Sequence, residues 1–220
     1  MSLSSQIANR RAMLRESGGH DYVAKRRDFI KIAAEIFKQK GFHSTNLNDI
    51  AKEAGVDRAS LYYYVSGKEE LFKEVVLEAT VTNVEFIETI AQSNIAPLAK
   101  IRQLIRGMMA AYRDQYPYMF VFVQEEMAKI TTESKGRPSE MRSLVSRFDK
   151  SLISIVQSGL DDGSIRAVGD ARLIAFGIIG MLNWSHRWFR PDRGYTAETV
   201  GTTFADMVIS GLTVHERRRR

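Results

Sequence analysis

Between Asp57 and Glu70 the sequence DRASLYYYVSGKEE gathers a guanidinium, a hydroxyl, three phenols in a row and an ammonium. Three successive tyrosines cannot share one side of a helix, because neighbouring residues are offset by about a quarter turn or more. At least part of Tyr62–Tyr64 must therefore face away from a core. The chemistry on offer is hydrogen bonding to anions and to base edges. Arg58 can donate to guanine O6 and N7 or to a phosphate. Ala59 lets a backbone come close, and Ser60 offers a short donor. Tyr62 and Tyr63 can lay a ring on a sugar or a thymine methyl while the hydroxyl meets a phosphate. Lys68, in the first turn of a following helix, can pair with phosphate beside that helix's free amides. Thr45 suits a further phosphate contact, and Tyr64 is expected to bridge protein and DNA backbone. The competing reading is that the tyrosines pack against the rest of the protein.

The elements that must hold these groups follow from periodicity and caps. Ile30, Ala33, Ala34 and Phe37 predict a first helix over about Val23–Lys40, stopped by Gly41. Asn46 and Asp49 resemble a capping box for a short helix over Leu47–Ala54, which Gly55 ends. Asp57 can cap a third, over Arg58–Tyr64. The Ser66–Glu69 spacing fits a capping box opening a fourth near Gly67, with Leu71, Val75, Val76 and Ala79 buried. Two short helices across a glycine turn form a helix-turn-helix unit, with Leu47, Ile50, Ala51, Ala54, Val56 and Leu61 inside. Beyond residue 84 longer helices are expected: Pro97–Asp114, Tyr116–Ile130, Pro138–Leu160, Asp170–Trp188 and Thr196–Val214. The class is all-α, about nine helices.

The chain has 220 residues, 44% apolar and 26% charged, a globular composition of one or two domains. No cysteine is present, which excludes disulfides and thiolate sites and fits an intracellular setting. No leader or membrane span is expected, and a cytoplasmic location follows. The net charge is +6, of which the terminal Arg217–Arg220 supplies four; residues 81–216 are balanced. A sequence-neutral architectural DNA binder would be basic throughout. An enzyme reading finds no phosphate-loop, dinucleotide or zinc-protease motif. His20, His43, His186 and His215 lack metal spacing, so no metal or cofactor is expected, and the adjacent Glu125 and Glu126 point apart on a helix.

The stretch GFHSTNLNDIAKEAGVDRASLYYYVSGKEELF resembles the DNA-binding domain of the TetR family of transcriptional regulators. The matching positions are Gly41-Phe42, Thr45, Ile50-Ala51, Ala54–Val56, Leu61-Tyr62 and Lys68. Val65 stands where phenylalanine is usual and Ala59 where glycine is frequent. The resemblance implies a helix-turn-helix domain over 23–84, preceded by a basic arm over 1–22. An effector-binding and dimerisation domain over 85–216 and a basic tail over 217–220 would complete the chain. The DNA-binding set is Lys25, Arg26, Thr45, Asn46, Arg58, Ala59, Ser60, Tyr62, Tyr63 and Lys68. Arg10, Arg11 and Arg15 either add phosphate or minor-groove contacts or belong to a solvated tail.

The family binds DNA as dimers through its last two helices, which implies a homodimer on a palindromic operator. Gly177, Gly180, Met181, Phe204, Val208 and Gly211 are the candidate interface. Met108, Met109, Tyr112, Tyr116, Tyr118, Met119, Phe120, Phe122, Met127, Phe148 and Phe176 are either core or the wall of an adaptable apolar pocket. The segment NWSHRWFRP resembles an acyl-CoA-responsive subgroup. That resemblance implies a repressor released by a small apolar effector such as an acyl-CoA, with Trp184, Arg187 and Trp188 lining its site. Arg187 is equally suited to an ion pair at a dimer interface.

Overall fold

The computed structural model describes residues 20–116 and 140–214. Among these the fold is all-helical: α1 (His20–Lys40), α2 (Leu47–Glu53), α3 (Arg58–Tyr62), α4 (Lys68–Gln92), α5 (Pro97–Asp114), α6 (Glu140–Asp161), α7 (Ala171–Trp184) and α8 (Ala197–Leu212). A short 3₁₀ turn, Ser185–Arg187, follows α7. Residues 1–19 of the expected basic arm over 1–22, all but Tyr116 of the expected Tyr116–Ile130 helix, His215 and the terminal arginines lie outside the described residues; residues 20–22 of the arm open α1.

The caps explain why short helices survive. Asn46 accepts from the Asp49 amide while the Asp49 carboxylate takes the Asn46 amide, closing the expected capping box. Asp57 accepts from both the amide and the hydroxyl of Ser60, and these bonds hold its carboxyl below the usual carboxylate range. The box before α4 differs from expectation. Ser66 donates its amide and hydroxyl to Glu70, not Glu69, one residue further round the first turn. Gly41 and Gly55 sit at φ +78° and +65°, the left-handed region that lets the chain leave α1 and α2 sharply. Helix α7 ends earlier than expected because the Ser185 hydroxyl turns back onto the Leu182 carbonyl and the backbone tightens.

The chain divides into two compact units within α4, between Ala79 and Thr80. In the first, Phe29, Phe37, Ile50, Leu61 and Leu71 are fully buried and pack α1, α2 and α3 against the start of α4. In the second, α5 is the central element, with α6 and α8 packed on it. Gly201 allows α8 its close approach, since a Cβ there would lie 3.1 Å from the Arg106 Cα.

Candidate nucleic-acid interface

The outward side of α3 is built from Asp57 upward. The cap fixes the first turn, Leu61 anchors the inner side, and Arg58, Ala59 and Tyr63 remain exposed while Ser60 and Tyr62 are half-buried. The Arg58 guanidinium donates to the Tyr62 hydroxyl at 3.0 Å and lies 5.4 Å from that ring's centroid. The pair is a preassembled donor and flat ring on one helix turn. The tyrosines thus take three different directions. Tyr62 joins Arg58, Tyr63 faces out, and Tyr64 turns inward to stack on Tyr22 at 5.0 Å and meet Phe29 edge-on. The expected bridging role of Tyr64 is corrected: ring packing takes it into the first unit.

Three further expectations are revised by the partners these side chains have. Thr45 is 1% exposed and donates its hydroxyl to the Gly41 carbonyl, so it offers no side-chain donor to a phosphate. Arg26 bridges Glu70 and Glu74 at 3.0 and 2.9 Å and ties α1 to α4. Lys68 points back into the loop before α2, where its ammonium is hydrogen-bonded to three carbonyls. Lys25 and Asn46 stay exposed, Asn46 with its side chain engaged as a cap.

The expected effector set does not gather around one space. Met108, Met109 and Tyr112 are core, sealed under α7 and α8. Phe148 is half-buried against the same cluster, and Tyr116 lies under the Arg190 guanidinium. Phe176, Trp184, Arg187 and Trp188 are exposed, with Arg187 5.2 Å over the Trp184 ring and Trp188 edge-on to Phe204. Phe120 and its neighbours Tyr118, Met119, Phe122 and Met127 are outside the described residues, as are Glu125 and Glu126. A groove of about 920 Å³ does exist in the second unit, on the outward side of α5. Its lining residues, among them Phe86, Leu98, Arg102, Arg106 and Ile209, include none of the expected ones.

The second unit also holds a polar cluster the sequence did not suggest. His186 is buried with its ring tilted against that of Tyr112, centroids 4.0 Å apart, and the Tyr112 hydroxyl donates to Asn183. Burial lowers the His186 pKa to about 4. An unfolded histidine titrates near 6.5, so between these values the unfolded chain binds a proton that the fold refuses. Stability is therefore complete above pH ~6.5 and is lost as pH falls towards 4, by on the order of 3 kcal/mol from this group. Urea unfolding of the wild type and of His186→Phe should show that difference in pH dependence; parallel profiles would refute it.

The candidate interface residues also divide. Gly177, Gly180 and Gly211 are exposed, with nothing within 4 Å of a Cβ built on them. Phe204 and Val208 instead pack inward on the core, and Met181 is half-buried. Two exposed apolar residues were missed from the sequence: Leu173 on α7 and Met207 on α8, 65% and 63% exposed. The spacing 173, 177, 180, 184 along α7 was the available signal.

The chain is similar to known proteins over most of its length. Residues 94–212 match the family model "Tetracyclin repressor-like, C-terminal domain", and residues 29–75 match "Bacterial regulatory proteins, tetR family". The chain is 29% identical over 192 residues to the HTH-type transcriptional repressor KstR2 of Mycolicibacterium smegmatis, covering 86% of this chain and 92% of that protein. It shares its fold with the ketosteroid transcriptional regulator KstR2 of Mycobacterium tuberculosis (TM-score 0.70, 24% identity, 86% and 95% of the two chains). It also shares it with FadR of Bacillus subtilis, solved in complex with stearoyl-CoA (TM-score 0.63, 21% identity, 85% and 98%).

Proposed function

The chain belongs to the TetR family of bacterial regulatory proteins, and on that premise we propose a homodimeric repressor that a small apolar effector, of the acyl-CoA type, releases from its operator. The observation that carries the DNA-binding part is the exposed Arg58–Tyr63 face on a helix capped by Asp57 and anchored by Leu61. Arg58, Ala59, Ser60, Tyr62 and Tyr63 form the reading surface in this proposal, with Lys25 and Asn46 at its edges. One such surface reads few base pairs; a dimer sets two of them ~34–36 Å apart along one side of the duplex. The exposed strip of Leu173, Phe176, Gly177, Gly180 and Trp184, with Met207 and Gly211, supports a partner protomer against α7 and α8. A patch of this kind on a monomer is a liability unless covered.

The effector class rests on the NWSHRWFRP segment and on the acyl-CoA bound to a regulator of the same fold. Trp184 and Arg187, stacked and exposed, supply a flat ring and a cation for a nucleotide or a carboxylate. The protein is proposed to act in the cytoplasm, where its DNA lies, and to carry no catalytic step. Stearoyl-CoA is the first probe. Binding of this ligand and of operator DNA must weaken each other by the same factor, of roughly 5- to 150-fold. Titrating each in the presence and absence of the other measures both factors. A saturating acyl-CoA that leaves DNA affinity unchanged removes that effector class.

A further inference from the structure

Lys68 is the residue whose surroundings fit its expected role least. Its Nζ lies 3.0 Å from the Phe42 carbonyl oxygen, 3.3 Å from that of His43 and 2.9 Å from that of Thr45. An ammonium has three hydrogens, and the cradle supplies an acceptor for each. The Phe42 ring closes one side, 4.7 Å from Nζ. Other bonds of the loop include the Thr45 hydroxyl to the Gly41 carbonyl, the Thr45 amide to the Phe42 carbonyl at 3.3 Å, and the Asn46–Asp49 box that starts α2.

We propose that Lys68 is a positioning residue, an internal clasp whose ammonium gathers the Phe42, His43 and Thr45 carbonyls. In that role it fixes the loop that sets α2 and α3 against the start of α4. A phosphate ligand would have to pull the ammonium off three oxygens, and the loop carbonyls would then lose a charge-assisted donor each. The clasp acts on DNA through the Arg58–Tyr63 face, so its DNA readout rests on the function proposed above, whereas its effect on folding does not.

The absence of cysteine from the chain makes a clean test possible. Lys68→Cys gives a single thiol. Alkylated in denaturant and refolded, it carries an aminoethyl group, which restores an ammonium, or a trimethylammonioethyl group, which keeps the charge but has no N–H. Lys68→Met removes both. The readouts are thermal midpoint, loop amide exchange, and affinity for a random ~30-bp duplex across a salt series. The clasp requires N–H donors. The aminoethyl form should therefore match wild type, while the trimethyl form behaves like Lys68→Met, with faster exchange around residues 42–46. DNA affinity should fall roughly tenfold or more in those two forms with the salt slope unchanged. The proposal is overturned if the trimethyl form restores wild-type behaviour. It is also overturned if Lys68→Met keeps its thermal midpoint and loses about one phosphate's worth of slope, ~0.9. If Lys68→Met fails to fold, refolding yield decides: aminoethyl folding where trimethyl does not supports the clasp, and equal folding of the two refutes it. Wild-type protein that ignores the duplex would sink the functional reading alone, since the folding comparison still stands.

Discussion

Arg58→Ala is expected to weaken DNA binding by roughly 5- to 150-fold, about 1–3 kcal/mol, without moving the thermal midpoint. The Arg58 hydrogen bond runs to Tyr62, one turn along the same short helix, and the guanidinium is exposed. Removing an exposed side chain of this kind changes stability by no more than ~0.5 kcal/mol. Its loss should therefore appear in affinity, measured by fluorescence anisotropy, and not in unfolding. Leu61, three positions on and fully buried, provides the contrast. Leu61→Ala opens a cavity costing about 2–5 kcal/mol and should reduce DNA binding only through the fraction folded. If Arg58→Ala melts the protein instead, the outward side of α3 has been misassigned.

Gly180→Arg is expected to convert a dimer into monomers and to lower operator affinity by roughly a hundredfold or more, because two half-sites are then bound independently. The substitution is chosen for what it leaves alone. Gly180 lies on α7 with ordinary helical φ and nothing within 4 Å of a Cβ built there. Replacing a helical glycine should stabilise the isolated protomer by roughly 0.5–1 kcal/mol. A long cationic side chain in the middle of the Leu173–Trp184 strip would nonetheless hold two copies of α7 apart. Sedimentation should show one chain where wild type shows two. A Gly180→Arg protein that still sediments as a dimer would place the contact elsewhere.

Where local rules decide the structure, the sequence was readable. The caps at Asn46 and Asp57, the stops at Gly41 and Gly55 and the proline opening α5 are each settled by a few neighbouring residues. Long side chains were harder, because their partners are distant in sequence. Nothing around Lys68 indicates that it reaches back some twenty-five residues to the Phe42–Thr45 loop. Arg26 likewise finds Glu70 and Glu74 only once α1 lies beside α4. The apolar residues of the second unit were ambiguous for a different reason. Met108, Met109 and Tyr112 suit a core and a pocket equally, and only their placement under α7 and α8 separates the two. The Tyr112–Asn183–His186 cluster combines both problems, distant partners and residue types with no single preference.

Photocrosslinking tests the DNA-reading surface most directly. A benzophenone amino acid is placed at Tyr63, the 37% exposed C-cap of α3, and separately at Leu173 on α7. Each protein is irradiated with labelled duplex at low salt. Covalent protein–DNA adducts are expected from position 63, diminishing as salt is raised, and protein–protein adducts from position 173. Adducts to DNA from 173 with none from 63 would contradict it.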